Sequence, residues 1–141
     1  MRQQERIRRI QHEIIVINNA FASPNDQSSW IQFDRRFRWM MIPQFTMPPH
    51  CSHNWSPFLL FLPPAYPMIP PLGFCISQDI LRHNQPMGQA QVNGWTYFQI
   101  TLETWRATAD VASGYNLLTV LDRAYRLLNT VNGPNWRRNA A

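Results

Sequence analysis

The sequence predicts an α+β fold: an N-terminal helix, a four-stranded antiparallel meander, and a C-terminal helix packed behind the sheet. Three observations carry this reading. Ile7, Ile10, Ile14, Ile17 and Phe21 recur at spacings of three and four, the stripe of a helix with one buried face. The stretch Phe58–Cys75, FLLFLPPAYPMIPPLGFC, sets an apolar strand on each side of five prolines that fall within nine residues. Toward the other end, Leu117, Leu121, Tyr125 and Leu128 form a second helical stripe.

A chain of 141 residues can bury a real core, and a single domain spanning 1–141 is expected. Six Trp and eight Phe argue against disorder, and twelve Pro suit a sheet with rigid connectors better than a helical bundle. No apolar run approaches the roughly 20 residues of a spanning helix. The start, MRQQERIRRI, lacks the apolar centre of a signal peptide. A cytoplasmic protein without membrane contact is therefore expected, and in that compartment Cys51 and Cys75 are free thiols.

The first helix covers 1–21 and stops at Ser23-Pro24-Asn25-Asp26. Arg2, Arg6, Arg8 and Arg9 crowd its first turns, facing either solvent or an acidic partner surface. The sheet occupies 30–76. Arg35-Arg36 turns the chain between strands Trp30–Phe33 and Phe37–Ile42, a loop follows over Pro48–Asn54, and further strands cover Trp55–Leu62 and Leu72–Ile76. Proline fixes φ and cannot donate to a ladder, so the link between the last two is stiff, the kind of connection that holds a wall beside a site. Residues 78–94 read as polar and irregular. Trp95–Leu102 is extended, with Phe98, Ile100 and Leu102 on one face and Tyr97, Gln99 and Thr101 on the other. Asn116 opens the second helix, 116–129.

All thirteen basic residues are Arg, in a chain of net charge +5 without a single Lys. Compositional drift toward Arg is one explanation. The other is that the protein handles a reactive acyl group and lacks the surface amines that would capture it, since an amine is a nucleophile and a guanidinium is not. The groups of basic residues, at 2–9, 35–38 and 137–138, are scattered and form no nucleic-acid motif, so no nucleic-acid partner is expected. Cys51 and His53 are ligand types that can face the same way, but a stable zinc site wants four ligands and no second cluster is evident. No metal and no cofactor are expected.

Tyr66-Pro67-Met68-Ile69-Pro70-Pro71, within this order of elements, resembles the YPxxPP segment of ubiquitin-conjugating enzyme (UBC) domains. The similarity is to the compact prokaryotic relatives found beside activating-enzyme-like and ubiquitin-like proteins, and it spans nearly the whole chain. His83-Asn84 falls where that family has His-Pro-Asn, with the Pro missing. Trp105 matches the Trp that follows the active-site segment, here 78–106, and Asn116–Asn129 matches the helix behind it. The resemblance implies a UBC-like fold in a bacterial conjugation pathway. It also implies a function: receiving or positioning a ubiquitin-like protein delivered by an activating-enzyme partner. Arg2, Arg6 and Arg9 would dock that enzyme, and Asn84 would stabilise an oxyanion. Tyr66, Pro67, Pro70, Pro71 and Trp105 would form the structural motif.

The nucleophile is where the chain departs. The family's Cys lies some eight residues before the Trp, which is Tyr97 here, or Gln99 if the turn differs. Neither is a thiol, and thioester chemistry needs an accessible, electrostatically favoured thiolate. Three readings stay open. The domain is a catalytically inactive adaptor for the activating enzyme or the ubiquitin-like protein. Alternatively it acts by another route: an oxyester on Tyr97, Thr96 or Thr101 with His83 as base, or a displaced thiol at Cys75 or Cys51. In the third, a natural Cys has been replaced at 97 or 99. Asn84 has its own second reading, as the residue that closes a turn.

Overall fold

A computed structural model describes residues 3–21, 31–87, 90–102, 104–106 and 115–130. They form an α+β arrangement of two helices and an antiparallel sheet. The elements are α1 (Gln3–Phe21), β1 (Gln32–Phe33), β2 (Trp39–Thr46), β3 (Trp55–Phe61), β4 (Gly73–Ser77), β5 (Leu81–Arg82), β6 (Gln85–Pro86), β7 (Ala90–Val92), β8 (Trp95–Gln99) and α2 (Leu117–Thr130). The expected end of α1 at 23–26 and residue Trp30 lie outside the described residues.

The main sheet has six strands rather than four, in the order β1-β2-β3-β4-β8-β7, and β5-β6 forms a separate two-stranded ribbon. The extended stretch at Trp95 pairs along the whole of β4, from Gly73 opposite Gln99 to Ser77 opposite Trp95. Residues 78–94 are not irregular either. They contain two tight hairpins, and in each the central residues have positive φ: His83 and Asn84 at 52° and 62°, Asn93 and Gly94 at 50° and 90°. That is the two-residue turn whose twist matches paired strands, and Asn-Gly is its strongest sequence signal.

The strand expected at Phe37 starts later. Phe37 sits at φ 52° and stacks on Phe33 with ring centroids 4.9 Å apart. Asp34 accepts from both the backbone N and the Nε of Arg38, each at 2.6 Å, closing the Arg35-Arg36 turn. β2 then runs on to Thr46 through an irregularity between Ile42 and Phe45, which accommodates Pro43 and its missing donor.

The core forms where the sheet's inner face meets both helical stripes. Phe45, Phe58, Phe74 and Phe98 stack across β2, β3, β4 and β8, with successive centroids 4.4, 4.9 and 5.1 Å apart. Against them lie Ile10, Ile14 and Ile17 of α1 and Leu117, Val120, Leu121, Ala124 and Leu128 of α2, all buried. Asn116 caps α2 by accepting from the N–H groups of Leu118 and Thr119. Among the described residues, no helix is long and apolar enough to cross a membrane.

The basic face of α1 needs correction. Arg6 and Arg9 are 4% and 8% exposed, so neither is presented to a partner. Arg6 donates to the carbonyls of Arg36, Phe37 and Pro63, tying α1 to the β1–β2 turn and to the proline connector. Arg9 donates to Tyr115 O at 3.1 Å and pairs with Glu13 at 3.6 Å. The planar fork of guanidinium suits donation to several carbonyls at once, which lets these cations sit inside. Arg2 lies outside the described residues.

Glu13, 2% exposed, is the node of this packing. Its Oε1 accepts from the Tyr66 hydroxyl at 2.7 Å and from Leu117 N, at the start of α2, at 2.8 Å. Burial pushes its pKa above the ordinary 4.5, while Tyr66, Leu117 and Arg9 pull it back. Between the ordinary and the raised value, and only there, the folded protein holds a proton that the unfolded chain releases. Stability linked to Glu13 is full below pH 4.5 and is lost as pH rises through the raised folded value. Glu13→Gln keeps an acceptor for both donors and should abolish that part of the pH slope in urea denaturation. Glu13→Ala leaves Tyr66 and Leu117 unpaired and should cost about 3–5 kcal/mol. A wild-type slope identical to that of the Gln variant would contradict the assignment.

Candidate functional site

The residues singled out from sequence fall into two groups on different sheets. In the main sheet Cys75 faces Tyr97 and Gly73 faces Gln99 across the β4–β8 ladder. Their neighbours Phe74, Ile76, Thr96 and Phe98 are buried in the core, so these four share the opposite face. Tyr97 lies across Gly73: a Cβ there would overlap its ring and hydroxyl. Tyr97 and Gln99 are therefore strand residues within a ladder, where the resemblance would have an active-site turn. Thr96 is 1% exposed in the core, which removes it as an oxyester carrier. Cys75 is buried, and that burial pushes its thiol up.

The second group surrounds the β5–β6 ribbon. His83 and Asn84 are its two turn residues, both exposed, and their backbone gives Asn84 the turn-closing role. The ribbon docks on the loop between β2 and β3. Ser52 N donates to Leu81 O at 2.7 Å, Leu81 N donates to Ser52 Oγ at 2.8 Å, and Cys51 bridges to Arg82. His50 and His83, distant in sequence, stack with ring centroids 5.3 Å apart. Arg82 reaches past them to donate to Leu128 O at 2.8 Å, anchoring the group to α2. Cys51 is half-buried; burial pushes its thiol up, and nearby Arg82 draws it partly back. Among the described residues, no three His, Cys, Asp or Glu side chains are grouped to hold a metal ion.

The proline connector leads into the first group, with Ile100 N donating to Leu72 O at 2.9 Å beside the Gly73–Gln99 pair. Tyr66 is 1% exposed, its peptide bond to Pro67 is cis, and its bond to Glu13 pushes the phenol pKa up, after burial. Trp105 Nε1 donates to Pro67 O at 2.7 Å, and the indole stacks on Tyr115 at 5.6 Å. Pinned from inside, the connector turns apolar side chains outward. Met68, Leu72, Ile69 and Phe61 are 63%, 62%, 47% and 43% exposed. Sequence reading passed over this patch, although Met and Ile at the two variable positions of YPxxPP were its signal. Exposed Arg35 and Arg36 lie nearby, since Leu62 N bonds Arg38 O and Arg6 spans Arg36 to Pro63. A cavity of about 460 Å³ lies elsewhere, between the β2 irregularity and α2, lined by Ile42, Phe45, Leu121 and Tyr125, and it includes none of the candidate residues.

Compared with known proteins, the chain matches no family model, no curated protein and no solved structure.

Two outcomes follow from this geometry. With burial disfavouring both thiolates, iodoacetamide should label Cys51 slower than free cysteine and Cys75 at least about tenfold slower still. A time course read by mass spectrometry checks this, and fast labelling of Cys75 would contradict it. Gly73→Ala should expel the Tyr97 ring and cost about 1–3 kcal/mol, a loss that Tyr97→Ala in the same chain should reduce.

Proposed function

We propose that this chain is a ubiquitin-conjugating-enzyme-like protein that positions a ubiquitin-like protein against an activating-enzyme-like partner without carrying it covalently. One observation bears the weight of this reading. The positions that the resemblance assigns to the nucleophile are Tyr97 and Gln99, set in a strand, while both cysteines are held toward the neutral thiol. A domain of this type that keeps its rigid connector but presents no activated thiol is suited to binding. The UBC-like fold itself rests on the sequence resemblance. The connector supplies a surface of the right character: exposed apolar side chains on a preorganised loop, beside cations that favour an acidic rim on the partner.

A second reading is favoured by Cys51. Arg82 lies beside it and offsets part of the burial that disfavours its thiolate, so a displaced conjugating route would run through this residue rather than through Cys75.

Both readings meet one experiment: incubation with a neighbouring activating-enzyme-like protein, its ubiquitin-like protein and ATP, read by gel filtration and intact mass. The expected result is a complex without an adduct, weakened at least about tenfold by Leu72→Asp on the connector. An adduct cleaved by thiol reductant and lost in Cys51→Ser would establish the second reading instead. An adduct that resists reductant but yields to mild base would point to an oxyester and overturn both.

A further inference from the structure

At the end of the sheet opposite the proline connector, where the chain enters β3 and leaves β4, a cavity of about 540 Å³ opens to solvent. Its lining includes Trp55 and Asp79, with Asn54, Ser52 and the exposed His53, whose Nδ1 lies 2.9 Å from Ser52 Oγ, beside them. Trp55 is 51% exposed, although an indole of this size is ordinarily well covered. Asp79 is exposed and supplies the sole carboxylate of that lining. The three ion pairs among the described residues join Arg9 to Glu13, Arg38 to Asp34 and Arg126 to Asp122, leaving Asp79 without an Arg partner there. The walls are fixed by hydrogen bonds: Ser77 N donates to Ser56 Oγ at 3.0 Å, Asp79 N to Ser77 Oγ at 3.3 Å, and Leu81 N to Ser52 Oγ at 2.8 Å.

A carboxylate beside an exposed indole attracts a cation through charge and through the ring's negative face. In a chain of net charge +5 this hollow has the opposite local character. Two side-chain cations could enter it, and the composition separates them. Every copy of the protein carries thirteen Arg and no Lys. A hollow that accepted guanidinium would be filled by exposed arginines of neighbouring copies, such as Arg35 and Arg36. One that accepts a lysine ammonium finds no lysine on its own chain. A compact ammonium can also donate to Asp79 while its methylenes lie on the indole.

We propose that the hollow walled by Trp55 and Asp79 receives a lysine ammonium of a partner protein. This goes beyond the proposed function and does not depend on it. The absence of lysine from the chain then has a binding consequence: the site stays open for a partner.

The test is an NMR titration of the ¹⁵N-labelled full chain, following the Trp55 indole N–H, assigned with Trp55→Phe. N-acetyl-lysine methylamide should shift that resonance saturably at about millimolar concentration, the strength of one exposed cation contact. The Nε-acetylated counterpart should leave it in place, and the arginine counterpart should bind more weakly. Asp79→Asn should weaken lysine binding at least about threefold. No shift with lysine, an equal shift with acetyl-lysine, arginine binding as tightly as lysine, or unchanged affinity in Asp79→Asn would each overturn the proposal. No activating-enzyme-like or ubiquitin-like protein enters the tube, so failure here leaves the proposed function standing, and failure of that function leaves this site untouched.

Discussion

A single carboxylate oxygen, Glu13 Oε1, joins three parts of the chain that sequence keeps far apart. It accepts from Tyr66, 53 residues away, and from Leu117, 104 residues away. The first bond locks the proline connector to α1; the second satisfies a backbone donor at the N-terminus of α2, where negative charge is favoured by the helix dipole. Arg9 stands on the other carboxylate oxygen and also holds Tyr115, the residue before the α2 cap. The connector's fixed shape, the stacking of Trp105 on Tyr115 and the approach of α2 to the sheet all meet at this point. A hydrophobic residue could fill the volume, but it could not answer a phenol, a helix terminus and a guanidinium at once.

That node explains why the exposed patch on the connector is a surface rather than a loose loop. Tyr66 and Trp105 grip it from within, so Met68, Ile69 and Leu72 are held outward at little further cost in conformational entropy. The β4–β8 ladder acts in the opposite direction at the positions where a nucleophile was sought. A side chain paired in a sheet has its backbone donors committed to its neighbour, leaving no free N–H groups around it to stabilise a developing oxyanion. Binding and acyl transfer place different demands on the backbone, and this difference is what inclines the proposed function toward binding.

Much of this was legible in the residues. The Ile stripe of α1 and the Leu stripe of α2 were readable because each repeats with a helical period, and the prolines marked where β3 ends and β4 begins. The extended stretch at Trp95 is legible as a strand, but β7 is not, because Asn93-Gly94 sits at the end of a polar stretch, although that pair is a hairpin signal in its own right. His83-Asn84 resembles a family motif in sequence, and its backbone makes it a turn. The burial of Arg6 and Arg9 was not legible at all. Their partners are backbone carbonyls at Phe37, Pro63 and Tyr115, and no local pattern announces an acceptor that arrives from elsewhere in the chain. The stacking of His50 on His83, and the hollow that Trp55 and Asp79 both line, likewise depend on pairing that only the fold provides.

The departure of the chain from β4 and its return in β8 occur at adjoining points. Ser77 faces Trp95, and Gln78 N donates to Gly94 O at 2.9 Å, so the intervening residues form a closed excursion. Two buried side chains, Ile80 and Met87, moor it to the core, while its two hairpin tips face water. Loop closure depends only weakly on length, so the His83-Asn84 tip of the separate β5–β6 ribbon can gain or lose residues without the main sheet registering the change. This gives the scaffold an evolutionary freedom: new chemistry can be written at that tip while the ladder, the aromatic stack and the buried carboxylate stay as they are.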